Sequence, residues 1–389
     1  MRLPAVGRQA GAGLVAQLTQ GAAPVGIVLV VREHSGSLAL AGAVVGGLSI
    51  AAGVSRPVQG RLIDRSGAAG VTVACGVAHP AALIGIVGGC EAHLSGWLLV
   101  GLGAVAGLAL PPVSTSMRVI WGAHVAADER TAAYSLVYLV QELAIFTGPL
   151  ILAGLIALAS AGLALVTLAV VSGAGTLAFA AFVRVLSGGK MSGQTARESV
   201  LRQAGMGILV SIAVLVGAVV GGLDVAAPTL AAARGAPAAS GLLIAALAVG
   251  GIIGAAAYGG RRWDVSPPRR LAVLLALVSA PLWIAVADES LLLVGVLLLI
   301  AGLALNPTLT TISLLVDQHV SEPSIAEAFG WLSTGISGGT GAASAIAGVL
   351  AQHQHDARAA FAVAALAGVT GATLATVARR NLARRPSGG

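Results

Sequence analysis

An ionisable side chain inside a long apolar stretch costs a few kcal/mol if that stretch crosses a bilayer, so it is where chemistry is sought first. Glu142 is the clearest case. It stands about ten residues into an apolar segment that begins near residue 132. At 1.5 Å per residue that is about 15 Å along a helix, or mid-bilayer. Tyr134 and Tyr138 lie eight and four residues earlier on the same helical face, with Gln141 adjacent. A carboxylate in a low dielectric persists when it can bind a proton, so Glu142 is read as a proton carrier. A protonated Glu bonded to a neighbouring helix is the plainer alternative.

Asp224 is the second ionisable candidate, about twenty residues into its own segment and followed by Pro228. It is read either as an outer gate or cation ligand, or as a solvated helix end. Gln17 and Gln20 are one turn apart, with Pro24 a further turn along. Amides at that depth suit hydrogen bonding to a substrate, or equally to another helix. Arg118 and Asn306 complete the expected substrate cavity, with Asn306-Pro307 breaking its span. For Arg118 the competing reading is a snorkelling interfacial side chain. His79, before Pro80, reads as helix glue. The pairs Gly217/Gly221, Gly250/Gly254 and Gly335/Gly339 have the spacing of helix contacts.

Other chemistries lack their residues. Gly189-Lys190 is followed by Met191, so the sequence has no phosphate-binding loop. Cys75 and Cys90 are about 22 Å apart if helical, too far for a disulfide. His353, His355 and Asp356 read as a solvated loop rather than a metal site. No cofactor is expected, and no nucleophile–base pair is visible.

The segments that carry these residues follow from composition. The 389 residues have a mean hydropathy of +0.94 and are 57% hydrophobic and 10% charged. Ordinary soluble domains carry roughly 25% charge, so a soluble enzyme of this length is excluded. Disordered chains are poor in apolar residues, so disorder is excluded as well. The remaining class is an all-α polytopic membrane protein. Spans 1 to 6 are expected near 10–31, 38–57, 70–89, 96–117, 132–157 and 161–184. Spans 7 to 12 are expected near 204–226, 239–259, 271–287, 291–313, 326–350 and 358–378. The first is too long for a signal-peptide core and reads as an uncleaved span.

With the N-terminus inside, all of the 22 Lys and Arg except Arg32, Arg234 and Arg358 fall on the cytoplasmic side. This bias sets both the twelve spans and the orientation, with both termini cytoplasmic. It also accounts for the +7 net charge without nucleic acid. Trp97 and Trp283 are expected at the outer interface, and Trp121, Tyr134 and Trp263 at the inner one.

The chain repeats. His124-Val125 and His319-Val320 are 195 positions apart, as are Pro112 and Pro307, and Thr115 and Thr310. At the same offset Ala133-Tyr134-Ser135 falls on Ala328-Phe329-Gly330. At an offset of 200, Gly60, Arg61 and Asp64 fall on Gly260, Arg261 and Asp264. The halves therefore read as parallel repeats, 1–186 and 204–389, joined by a polar linker at 187–203. Transporters so built hold their site near the midplane between the halves.

The loop after span 2, Gly60-Arg61-Leu62-Ile63-Asp64-Arg65-Ser66-Gly67, resembles the first signature of the major facilitator superfamily. Ala68 and Ala69 replace two basic residues usual there. Gly260-Arg261-Arg262-Trp263-Asp264 is similar to a degraded second copy. Gly148-Pro149, late in span 5, is similar to part of that superfamily's proton-antiporter signature; a plain proline kink is the alternative. The resemblance implies twelve helices in two six-helix parallel repeats, working as a secondary transporter rather than an enzyme. It implies that Gly60 permits close helix approach and that Asp64 interacts with a facing helix N-terminus, Arg65 and Gly67 completing the motif.

The reading preferred on these residues is a proton-coupled exporter of a small organic molecule. It is expected to be monomeric in the cell inner membrane, with the substrate, protons and the lipid bilayer as partners. A proton-coupled importer and a non-transporting sensor or assembly protein are the alternatives.

Overall fold

A computed structural model describes residues 6–186, 200–203, 205–236, 239–287, 290–354 and 357–383. The linker at 187–199, His355, Asp356, the side chain of His353, and the basic residues Arg2, Lys190, Arg197, Arg384 and Arg385 lie outside the described residues. Among the described residues there is no strand. The helices are α1 (Val6–Ser35), α2 (Leu38–Ser66), α3 (Ala68–Glu91), α4 (Gly96–Leu108), α5 (Val113–His124), α6 (Arg130–Leu158) and α7 (Ala161–Leu186). Then follow α8 (Met206–Ala233), α9 (Ala239–Gly259), α10 (Pro267–Ala287), α11 (Leu291–His319), α12 (Ile325–Gln354), α13 (Arg358–Val377) and the short α14 (Arg379–Ala383). Counting α4 and α5 as one, 11 helices are long and apolar enough to cross a membrane. The thirty-residue α12 is not among these, being rich in Gly, Ser and Thr.

The expected spans correspond to these helices, although α5, α8 and α11 run six or seven residues past their expected ends, and three further differences bear on the site. First, α2 runs nine residues past its expected end, so most of the Gly60–Gly67 motif is helical and not a loop. Gly67 alone joins α2 to α3. Its φ of +84° is one that an L side chain rarely adopts, and its N–H caps the Ile63 carbonyl at 2.9 Å. Second, span 4 is two helices. Consecutive Pro111 and Pro112 remove two backbone donors and stop the helix between Leu108 and Val113. Third, α11 continues through Asn306-Pro307, which was expected to break it. A single proline is tolerated where neighbouring packing encloses the freed carbonyl. The Leu303 carbonyl lies 2.3 Å from where a Cβ on Gly254 would stand.

Trp121 and Tyr134 are fully buried within the helix packing, and the Trp121 indole donates to Gln9 Oε1 at 2.8 Å. Trp97, Trp283 and Trp263 are exposed, at 86%, 41% and 37%.

The chain divides into two compact units. Of the described residues, one unit holds those within 6–124 and 140–186; the other holds those within 125–139 and 200–383. Helix α6 is shared, its first ten residues belonging to the second unit. In the first unit α1 and α3 pack on α7, and α2 packs on α4. In the second unit α8 and α10 pack on α13, and α9 packs on α11. Each pairing is the repeat of the other.

The correspondence extends to atoms. A Cβ on Gly107 would stand 2.0 Å from the Leu48 carbonyl, and one on Gly302 would stand 2.2 Å from that of Leu247. His124 Nδ1 meets the Ile120 carbonyl and His319 Nδ1 that of Leu315, each at 2.8 Å, at the ends of α5 and α11. Lipid offers little hydrophobic drive between helices, so such small-residue contacts and side-chain hydrogen bonds hold the bundle. The three glycine pairs behave accordingly: Gly217 and Gly221 touch α12, Gly339 touches α8, and Gly250 and Gly254 touch α11.

Candidate functional site

The break in span 4 builds the polar centre of the first unit. Side chains from α2 meet the Leu108, Leu110 and Pro111 carbonyls around the break. Gln59 Nε2 donates to the Leu108 and Leu110 carbonyls at 2.9 and 3.1 Å. Arg56 Nη1 reaches those of Leu110 and Pro111, each at 3.4 Å. Helix α5 then restarts, and its second residue is Ser114.

Ser114 joins three helices. Its hydroxyl lies 2.5 Å from Gln17 Oε1 on α1 and 3.1 Å from the Gln141 amide on α6. Gln17 Nε2 donates to the Gly13 carbonyl at 2.9 Å, which fixes the oxygen of Gln17 toward Ser114. One hydroxyl proton cannot serve two acceptors. The shorter contact is to Gln17, and the Gln141 Oε1 also faces the Ser114 hydroxyl. Gln17 is 4% exposed, while Gln141, Gln20 and Glu142 are half-buried. Thus the structure brings Gln17 and Gln141 together, with Glu142 one residue beyond. Arg118 is on α5, one turn past Ser114, and is 5% exposed. It does not snorkel to the surface.

His79 lies at the centre of a separate network. Its Nδ1 meets the Ala106 carbonyl at 2.8 Å and its Nε2 the Thr19 hydroxyl at 3.2 Å. Thr19 is 3.2 Å from Ser172, whose hydroxyl donates to the Ala16 carbonyl at 2.7 Å. These bonds tie α1, α3, α4 and α7 together, as helix glue should.

In the second unit the start of α6 packs on the helices of the later repeat. Tyr134 meets Phe329 edge-on, ring centroids 6.1 Å apart. These two are repeat mates. The Tyr138 and Ser313 hydroxyls are 3.0 Å apart, and Ser135 and Thr310 are 3.4 Å apart. Arg130 pairs with Asp317. Arg262 lies 3.6 Å from Asp128, both exposed, a geometry worth little energetically. Asn306, 3% exposed, lies within α11, while Asp224 is exposed on α8.

A sequence model described as the Major Facilitator Superfamily matches residues 10–326. The chain belongs to the major facilitator superfamily. It is a multi-pass membrane protein and a secondary transporter working by alternating access, with a small-molecule substrate. No curated protein sequence matches it. Among solved structures it is similar to a bacterial homologue of the iron transporter ferroportin in the outward-facing state, at 15% identity and a TM-score of 0.81, over 96% of this chain and 99% of that one. It is also similar to the superfamily transporter FucP in the outward conformation, at 13% identity and a TM-score of 0.69, over 95% and 97% of the two chains. The E. coli fucose:proton symporter FucP gives 14% identity and a TM-score of 0.66, over 95% and 97%. At these identities the likeness is one of fold.

In this superfamily member the motif residues Gly60, Asp64, Arg65 and Gly67 all stand at the α2–α3 junction. Gly60 is buried, Asp64 half-buried and Arg65 exposed. Gly148 of Gly148-Pro149 comes against α1, its Cβ position 2.3 Å from the Leu18 carbonyl. Sequence reading missed Ser114, Gln59 and Arg56. The Pro111-Pro112 pair was the signal that could have drawn attention to them, because a double proline frees carbonyls that nearby donors must satisfy.

Proposed function

We propose that this transporter is a proton-coupled exporter of a small polar organic molecule, with Glu142 as the proton carrier and Gln17, Gln20, Gln141, Tyr138, Arg118 and Asn306 among the substrate contacts. The observation that carries this reading is the place of Glu142 on α6, next in the chain to Gln141 of the Gln17–Ser114–Gln141 junction of α1, α5 and α6. A proton taken up there acts on the residues that hold α6 to its neighbours. Amides and hydroxyls favour an organic substrate. Among the described residues no three His, Cys, Asp or Glu converge as a metal cargo would require. Asp224, exposed on α8, is the second proton site in this reading.

The test is transport in everted vesicles containing the purified protein and a pH-sensitive dye. An exported compound should release protons from acidified vesicles as it enters. Accumulation of substrates with no proton movement would overturn the coupling.

In this reading the chain lies in the cell inner membrane as a monomer, with halves 1–186 and 204–389 and both termini cytoplasmic. The positive-inside bias supports that orientation. Reporter fusions at Ser187 and Gly389 should both read cytoplasmic; an outside reading at either would reverse it. Asp64 is assigned to the conformational motif. Asp64→Asn keeps its shape but removes its charge, and should cut transport at least tenfold with normal membrane insertion (about 1.4 kcal/mol). Near-normal transport would reduce Asp64 to a solvated charge.

A further inference from the structure

We propose that the end of the second unit formed by α9, α10 and α14 binds the headgroup of an anionic phospholipid, with an acyl chain lying along α10. Four arginines, Arg261, Arg262, Arg269 and Arg270, fall within ten residues there, against one acid, Asp264. Arg262 faces Asp128. Among the described residues no carboxylate pairs with Arg261, Arg269 or Arg270. Helix α14 packs on α10 and α13 through Leu382, 1% exposed, and adds the exposed Arg379 and Arg380 to the same end.

These charges are built into a frame rather than scattered. Tyr258 and Trp263 stack at 4.6 Å, and the Trp263 indole donates to the Tyr258 carbonyl at 3.0 Å. Arg270 stands 5.6 Å from the Tyr258 ring and 5.7 Å from the Trp263 ring, and Arg261 stands 5.5 Å from the latter. Arg270 is 8% exposed, and its Nε and Nη1 are enclosed without a hydrogen-bond acceptor. The aromatic frame thus holds two guanidinium groups in place at this end. Guanidinium matches phosphate oxygens in pairs.

The apolar surface selects a lipid over a free anion. Arg269, Val273 and Leu277 lie at i, i+4 and i+8 on one face of α10, with Ile284 further along. The three apolar side chains are 59%, 51% and 53% exposed. Val265 and Trp263, 49% and 37% exposed, stand beside the arginines. A phosphate at Arg261, Arg269 and Arg270 therefore places its acyl chain on an uncovered apolar stripe. The positive-inside bias puts this end in the cytoplasmic leaflet, where anionic lipids attract basic clusters.

The experiment measures quenching of the Trp263 fluorescence component, defined as the part lost in Trp263→Phe, by brominated phosphatidylglycerol or brominated phosphatidylcholine in reconstituted vesicles. The parent should prefer phosphatidylglycerol by about threefold or more, and the double variant Arg261→Gln/Arg269→Gln, altered only at exposed positions, should fall to a ratio of about one. Equal quenching by both lipids in the parent would overturn the site. So would a preference unchanged in the double variant. Loss of the preference on adding millimolar inorganic phosphate at constant ionic strength would assign the arginines to a free anion and overturn the lipid.

Discussion

Glu142→Gln is expected to leave substrate binding and energy-independent exchange intact while abolishing transport driven by a pH gradient. The amide copies the size and hydrogen-bonding shape of a protonated carboxyl but never ionises. It therefore holds the side chain in the state of the proton-loaded carrier. Gradient-driven flux should fall at least a hundredfold (about 2.7 kcal/mol). The measurement compares flux in vesicles with and without an imposed gradient. If the variant responds to the gradient as the parent does, the proton travels elsewhere, and Asp224 becomes the next candidate.

Gly339→Leu should sharply reduce the yield of folded protein, while Gly338→Leu, one residue away, should be tolerated. A Cβ on Gly339 would stand 1.9 Å from the Val214 carbonyl of α8, a backbone atom that cannot swing aside. Around Gly338 nothing lies within 4 Å. The same interface carries Thr340 donating to the Gly217 carbonyl and Ser344 to that of Gly221, at 3.1 and 3.0 Å. Forcing α8 and α12 apart loses both bonds as well as close packing, for a cost above the usual 1–3 kcal/mol of overpacking (about 4 kcal/mol). Size-exclusion profiles and thermal midpoints of the two variants in detergent check this. Equal midpoints would show that the helices do not approach so closely.

The sequence by itself determined the membrane class, the order and spacing of the spans, and the repeat. Each rests on a one-dimensional signal. Apolar length must match the bilayer, arginine must stay on one side, and a duplicated chain keeps its residues at a fixed offset. Helix α9 shows how directly this works: its expected limits and its observed limits are both 239–259. The glycine pairs were equally legible, because four-residue spacing puts small residues on one face whatever lies opposite.

Only the tertiary structure decided what lies opposite. Repeat mates Pro112 and Pro307 look equivalent in sequence, yet one accompanies a break and the other sits in a continuous helix. The difference is the preceding residue, Pro111 against Asn306, together with Gln59 and Arg56, which come from another helix to satisfy the freed carbonyls. Gln17 and Gln141 are 124 positions apart, and nothing in their spacing joins them to Ser114. The type and place of Tyr134 in the chain say nothing of Phe329, against which it is fully buried, since what a helix face meets is set by the helix packed on it and not by its own period.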